Sequence, residues 1–172
     1  FETIEVTDMS SMFFNCFKLT SLDISKFTTG RVKYMQNMFS NCKALNSLDV
    51  SNFKTDGVLQ MEGMFQMCTK ITSLNLQGFN TKQARNLTNM FNTCQELTSL
   101  DLRSFDTSSV RDMSSMFYKC SKITELNLSF KTNNVKNMEK MFSYMEELTK
   151  LDLATFDTSQ VTTMFSMFQG CA

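Results

Sequence analysis

The chain has 172 residues, and its 17 Lys and Arg balance 17 Asp and Glu. That length suits one ordinary domain with a sizeable core, and zero net charge leaves no electrostatic footprint for nucleic acid or an acidic membrane surface. There is no His, Trp or Pro, so Ser-His-Asp and Cys-His catalysis and the usual His-containing zinc and iron sites are excluded, and no apolar run approaches the roughly 18 residues of a spanning helix.

Self-similarity organises the rest. A Val recurs at Val6, Val32, Val58, Val110, Val135 and Val161, with Ala84 in the same phase. The step is 26 residues, and once 25, where Leu102-Arg103-Ser104-Phe105 shortens to Leu128-Ser129-Phe130. Six residues on stands Met12, Met38, Met64, Met90, Met116, Met141 and Met167, each followed by Phe. Ten residues after the Val comes Cys16, Cys42, Cys68, Cys94, Cys120, then Met145, then Cys171. Nearly every Met and Phe falls in such a column, so the unusual composition is the repeat itself.

Within each coil the first predicted element is a short helix. Val6, Met9, Met12, Phe13 and Cys16 stand three and four apart, on one helical face. The position before it reads Asp8, Tyr34, Gln60, Asn86, Asp112, Asn137 and Thr163, mostly N-cap types. About two turns would be unstable alone and would depend on stacking. Met64 and Phe65 are expected to be almost fully buried. The second element is a strand. In Leu97-Thr98-Ser99-Leu100-Asp101-Leu102 the leucines alternate with polar neighbours, the mark of a half-buried strand. The predicted fold is α/β. It is a right-handed leucine-rich-repeat solenoid of about six and a half 26-residue coils, with a parallel sheet on its concave face. At the strand spacing the rod is roughly 30 Å long.

The unit F-x-T-x-x-V-x-x-M-x-x-M-F-x-x-C-x-x-L-T-x-L-[DN]-L-x-x-F resembles the BspA-like leucine-rich-repeat surface proteins, also called the mycoplasma-lipoprotein-type repeat. Phe105-Asp106-Thr107-Ser108-Ser109-Val110 and Met113-Ser114-Ser115-Met116-Phe117 carry the resemblance, which covers the whole chain. It implies extracellular or cell-surface display and protein binding, without a reaction. Residues 1–172 read as a single solenoid domain, a fragment of a longer chain without its caps. Uncapped ends would allow end-to-end or lateral contacts with other chains. No membrane insertion, nucleic acid or cofactor is expected.

The remaining columns suggest what each face does. The Cys column reads as packing, with free, buried, inert thiols, because a column that admits Met145 cannot be a disulfide ladder. Between the strand leucines stand Asp23, Asp49, Asn75, Asp101, Asn127 and Asp152. They read as a solvated ladder hydrogen-bonded from coil to coil, with a hard-cation surface as the alternative. Thr29, Thr55, Thr81, Thr107, Thr132 and Thr158 precede the turn, where a hydroxyl can satisfy a loose backbone group. Phe14, Phe17, Tyr34, Tyr118 and Tyr144 are expected at the surface. Asn86-Leu87-Thr88 and Asn127-Leu128-Ser129 match the N-glycosylation sequon. The expected ligand surface is the strand face: Asp23, Asp49, Asn75, Asp101, Arg103, Glu125, Asn127, Lys150 and Asp152. Its C-terminal part carries mixed charge, which favours a protein-binding module. A structural spacer or filament-forming segment is the alternative.

Overall fold

The computed structural model describes residues 2–171. The coils stack as expected, but the predicted helices are absent among the described residues. The regular elements are two short strands, β1 (Ser99–Asp101) and β2 (Glu125–Asn127). They pair in parallel, Ser99 beside Glu125, Leu100 beside Leu126 and Asp101 beside Asn127. A bridge from Glu125 to Lys150 extends the row by one coil. A second parallel row links Asp8, Tyr34, Gln60, Asn86, Asp112, Asn137 and Thr163 in turn. The column read as helix caps is therefore a ladder between coils.

The segment after it is a chain of turns. In one coil the N–H groups of Gly63, Phe65 and Met67 donate to Thr88, Met90 and Asn92 of the next coil, at 2.9, 3.0 and 2.7 Å. The N–H groups between them close turns, Met64 onto Met61, Gln66 onto Gly63 and Cys68 onto Phe65. An α-helix would use its N–H groups internally. Here every second one points along the rod. Left-handed residues four apart make this possible: Gly63 at φ 62° and Met67 at 57°, Asn37 at 55° and Asn41 at 66°, Asn89 at 57° and Thr93 at 62°. Inward positions then recur at steps of three and four, which imitates a helical face. Each non-glycine left-handed residue costs roughly 1–2 kcal/mol. The hydrogen bonds between coils and the buried columns offset that cost.

The inner columns are the core. Met64 and Phe65 are fully buried, as are Cys68, Ile71, Met90 and Phe91. Phe39, Phe65, Phe91, Phe117 and Phe142 form one stack, with centroids 5.6–5.8 Å apart and planes within 10°. A second column stacks Phe53 on Phe79 on Phe105, at 6.5 and 6.4 Å, and Phe130 on Phe156 at 6.3 Å. In the end coils the same columns are open: Met12 and Phe168 are exposed, since each coil is covered only by its neighbours.

Two polar columns fasten one coil to the next. The buried Thr55 hydroxyl donates to the Asn80 carbonyl at 3.0 Å and accepts from the Asn80 N–H at 2.8 Å. Thr29 holds Lys54, Thr107 holds Lys131 and Thr132 holds Asp157 in the same two-bond way. The hydroxyls therefore satisfy a backbone group in the neighbouring coil. The Cys column is the second fastening. Cys68, Cys94 and Cys120 each donate a thiol hydrogen to the Phe carbonyl one coil back, Phe39, Phe65 and Phe91, at 3.2, 3.1 and 3.0 Å. All six cysteines are free, but only Cys42, Cys68, Cys94 and Cys120 are buried as expected; Cys16 and Cys171 lie in the open end coils and are half-buried. Burial pushes the Cys42 thiol up to about 11 and the Cys120 thiol up to about 12, and raises the Cys68 and Cys94 thiols as well.

Candidate functional site

The expected ligand residues stand on the strand side of the coils. Asp23, Asp49, Asn75 and Asp152 are exposed, and Asp101 and Asn127 half-buried. Their side chains do not hydrogen-bond from coil to coil, which corrects the ladder expected from the sequence. All of them except Asn127 close a turn in their own coil. Asp23 accepts from the Ser25 N–H at 3.0 Å, Asp49 from Ser51 at 2.9 Å and Asn75 from Gln77 at 3.2 Å. Asp101 accepts from the Arg103 N–H at 3.1 Å, and Asp152 from Ala154 at 2.9 Å. The carboxylate thus ends the strand by taking the N–H two residues on. Hydrogen bonding from Ser25 and Ser51 holds Asp23 and Asp49 below the usual carboxylate range. Among the described residues no three Cys, Asp or Glu side chains converge on a point that would hold a metal.

The regular wall changes at the shortened coil. Arg103, Glu125, Asn127, Lys150 and Asp152 come together round a cleft of about 180 Å³, which the half-buried Leu128 also lines. A second hollow of about 270 Å³ adjoins it, between Arg103, Asp106, Ser129 and Lys131. Both touch Leu128-Ser129, where the chain is one residue short. A shorter loop between two longer ones leaves a notch. Asp23, Asp49 and Asn75 belong to earlier coils and line neither hollow.

The charges in the notch are not equivalent. Arg103 lies against Asp101 in its own coil, Nε to Oδ1 at 3.0 Å and Nη2 to Oδ2 at 2.6 Å. That guanidinium holds Asp101 below the usual range, and the carboxylate raises Arg103. Glu125 and Lys150 are exposed and form no ion pair among the described residues. The notch therefore offers one carboxylate and one ammonium side by side on adjacent coils, free of ion pairs among the described residues.

Of the expected surface aromatics, Phe14, Phe17 and Tyr34 are exposed. Tyr118 and Tyr144 are half-buried instead, packed edge to face at 5.7 Å under the Lys119 ammonium.

Coils of one repeated length, parallel rows and a leucine-rich strand segment define a leucine-rich-repeat type of solenoid. A crystal structure of a leucine-rich repeat protein from Eubacterium ventriosum ATCC 27560 is similar in fold, with a TM-score of 0.50 and 17% identity over 88% of this chain. The chain spans 45% of that protein's length. The chain belongs to the family described as Mycoplasma protein of unknown function, DUF285, whose model matches residues 1–100 and 85–172. These matches bear out the family expected from the repeat unit. No curated protein is similar to the chain at a significant level.

Proposed function

We propose that the chain is a non-catalytic protein-binding module, displayed at the cell surface or secreted, which engages its partner at the notch around Arg103, Glu125, Asn127, Lys150 and Asp152. The observation that carries this reading is the break in an otherwise regular wall. A rigid stacked scaffold loses little conformational entropy on binding. Glu125 and Lys150 form no ion pair among the described residues, so a partner with complementary charges gains orientation from them. The half-buried Leu128 supplies apolar contact beside the charges. The unbroken stack of Phe39, Phe65, Phe91, Phe117 and Phe142 favours a second reading, a spacer or filament-forming segment, because it runs through successive coils as a continuous rod.

The test is charge reversal. Arg103→Glu with Lys150→Glu is compared with Lys33→Glu and Lys119→Glu, against a panel of immobilised extracellular matrix proteins. The expected result is a binder that loses at least tenfold in affinity through the first pair only. Equal loss through the control pair overturns the face assignment. A panel without any binder supports the spacer.

A further inference from the structure

A different side of the rod carries a cleft of about 510 Å³. Two columns build it, one on each side of the inward Val. The residue after the Val or Ala is Arg85, Arg111 or Lys136, and the residue before it is Ser109, Asn134 or Gln160. All six are exposed while Val110 and Val135 are buried, as an alternating extended chain requires. The Arg111 N–H donates to the Arg85 carbonyl at 3.0 Å, and the Lys136 N–H to the Arg111 carbonyl at 2.9 Å. The coils therefore keep parallel-strand spacing, ~4.8 Å, and three cations stand in a row about 10 Å long.

Among the described residues nothing neutralises this row. Elsewhere the chain sets cations against acids, Arg31 on Glu5, Arg103 on Asp101 and Lys122 on Glu96. Arg85, Arg111 and Lys136 enter no ion pair among the described residues. No acidic side chain lines the cleft. Asp112, next to Arg111, is occupied by the Ser114 N–H at 2.8 Å, the Ser114 hydroxyl at 2.7 Å and the Asn137 amide at 3.2 Å. Like charges one coil apart repel, and the uncompensated row favours a ligand with repeated negative groups. The opposite wall is uncharged and rich in hydroxyl and amide groups. Asn134 spends its amide N–H on the Ser108 carbonyl at 2.8 Å, which leaves its oxygen free to accept.

We propose that this cleft binds an acidic polysaccharide. Its sulfate or carboxylate groups would meet Arg85, Arg111 and Lys136, since guanidinium forks match oxyanions. Its hydroxyls would meet Ser109, Asn134 and Gln160. Nucleic acid fits less well. The cleft has no aromatic platform for bases, and three cations make a short footprint for a duplex. The residues are separate from the notch, so either site can fail alone.

The experiment titrates the chain with fluorescent heparin oligosaccharide and with polygalacturonate, at several salt concentrations. Neutral dextran and a (dT)20 oligonucleotide serve as comparisons. Binding to at least one acidic polysaccharide is expected, with log K falling by about 2–3 per log unit of salt, as three neutralised cations would give. Arg111→Gln with Lys136→Gln should weaken it at least tenfold and flatten that slope by about 2. Arg111→Lys should keep most of the affinity. Lys70→Gln with Lys122→Gln makes the same change in net charge elsewhere and should leave binding within twofold. Unchanged melting temperatures would show that the variants fold. No binding to either acidic polysaccharide overturns the proposal. So do equal loss in the control pair, equal binding of dextran, or tighter binding of (dT)20.

Discussion

Thr55→Val is the most direct test of how the coils are joined. Valine keeps the shape of the side chain and removes only the hydroxyl. In the wild type that hydroxyl serves both the N–H and the carbonyl of Asn80, at 2.8 and 3.0 Å. Thr55 is fully buried, so a methyl in its place admits no water from its own side. Each stranded backbone group costs about 1–3 kcal/mol. Asn80 is half-exposed, so relaxation toward solvent recovers part of this. The expected loss is therefore about 2–4 kcal/mol. For a chain of this size that lowers the melting temperature by about 5–12 °C. A stacked array can fray between coils, so a global melt is paired with a local probe. Hydrogen exchange at the Asn80 amide should be slow in the wild type and fast in the variant. Thr55→Ser keeps both bonds and should keep that protection. Thr158 is exposed in the same column, and Thr158→Val should change stability by no more than about 0.5 kcal/mol. Unchanged Asn80 protection in Thr55→Val would refute the fastening.

Phe65→Ala should cost about 3–5 kcal/mol, because it removes the middle of a stack with Phe39 and Phe91 at 5.8 Å each; limited proteolysis should then cut near residue 65, and an unchanged digestion pattern would contradict it. The buried thiols Cys42, Cys68, Cys94 and Cys120 should resist a thiol reagent in the native state, the half-buried Cys16 and Cys171 should react first, all six should react after unfolding, and mass spectrometry should find no Cys–Cys bridge. Ionisation of the buried thiols should also weaken the fold at alkaline pH. The folded thiols Cys42 and Cys120 ionise near 11 and 12, above an unperturbed 9.0. Ionisation therefore favours the unfolded chain once pH passes about 9. Stability from these groups is intact below that pH and falls between about 9 and 12, which urea melts across that range will show.

Much of this protein was legible in the repeat. The columns at Val, Met, Phe, Cys and Leu identify the buried positions, since an inner side chain in one coil is stacked on its equivalent in the next. The free thiols followed from Met145, which cannot bridge. Other features had weaker signals. Gly63, Asn37 and Asn89 occupy the middle of the predicted helix and are poor helix-interior residues, yet they accept the left-handed conformation that builds the turns. The row of Arg85, Arg111 and Lys136 is visible in the aligned coils, but the zero net charge conceals it.

The linear order therefore determined the repeat, its phase and its inner face, because burial depends only on which positions recur. It did not determine where each backbone N–H points. A chain of four-residue turns and a helix of 3.6 residues per turn place nearly the same positions inward, so periodicity alone cannot separate them. The choice falls to hydrogen bonds between coils. The same holds for charge: Arg103 is neutralised by Asp101 while Arg85, Arg111 and Lys136 stay unpaired, a difference set by side-chain approach in the stacked rod.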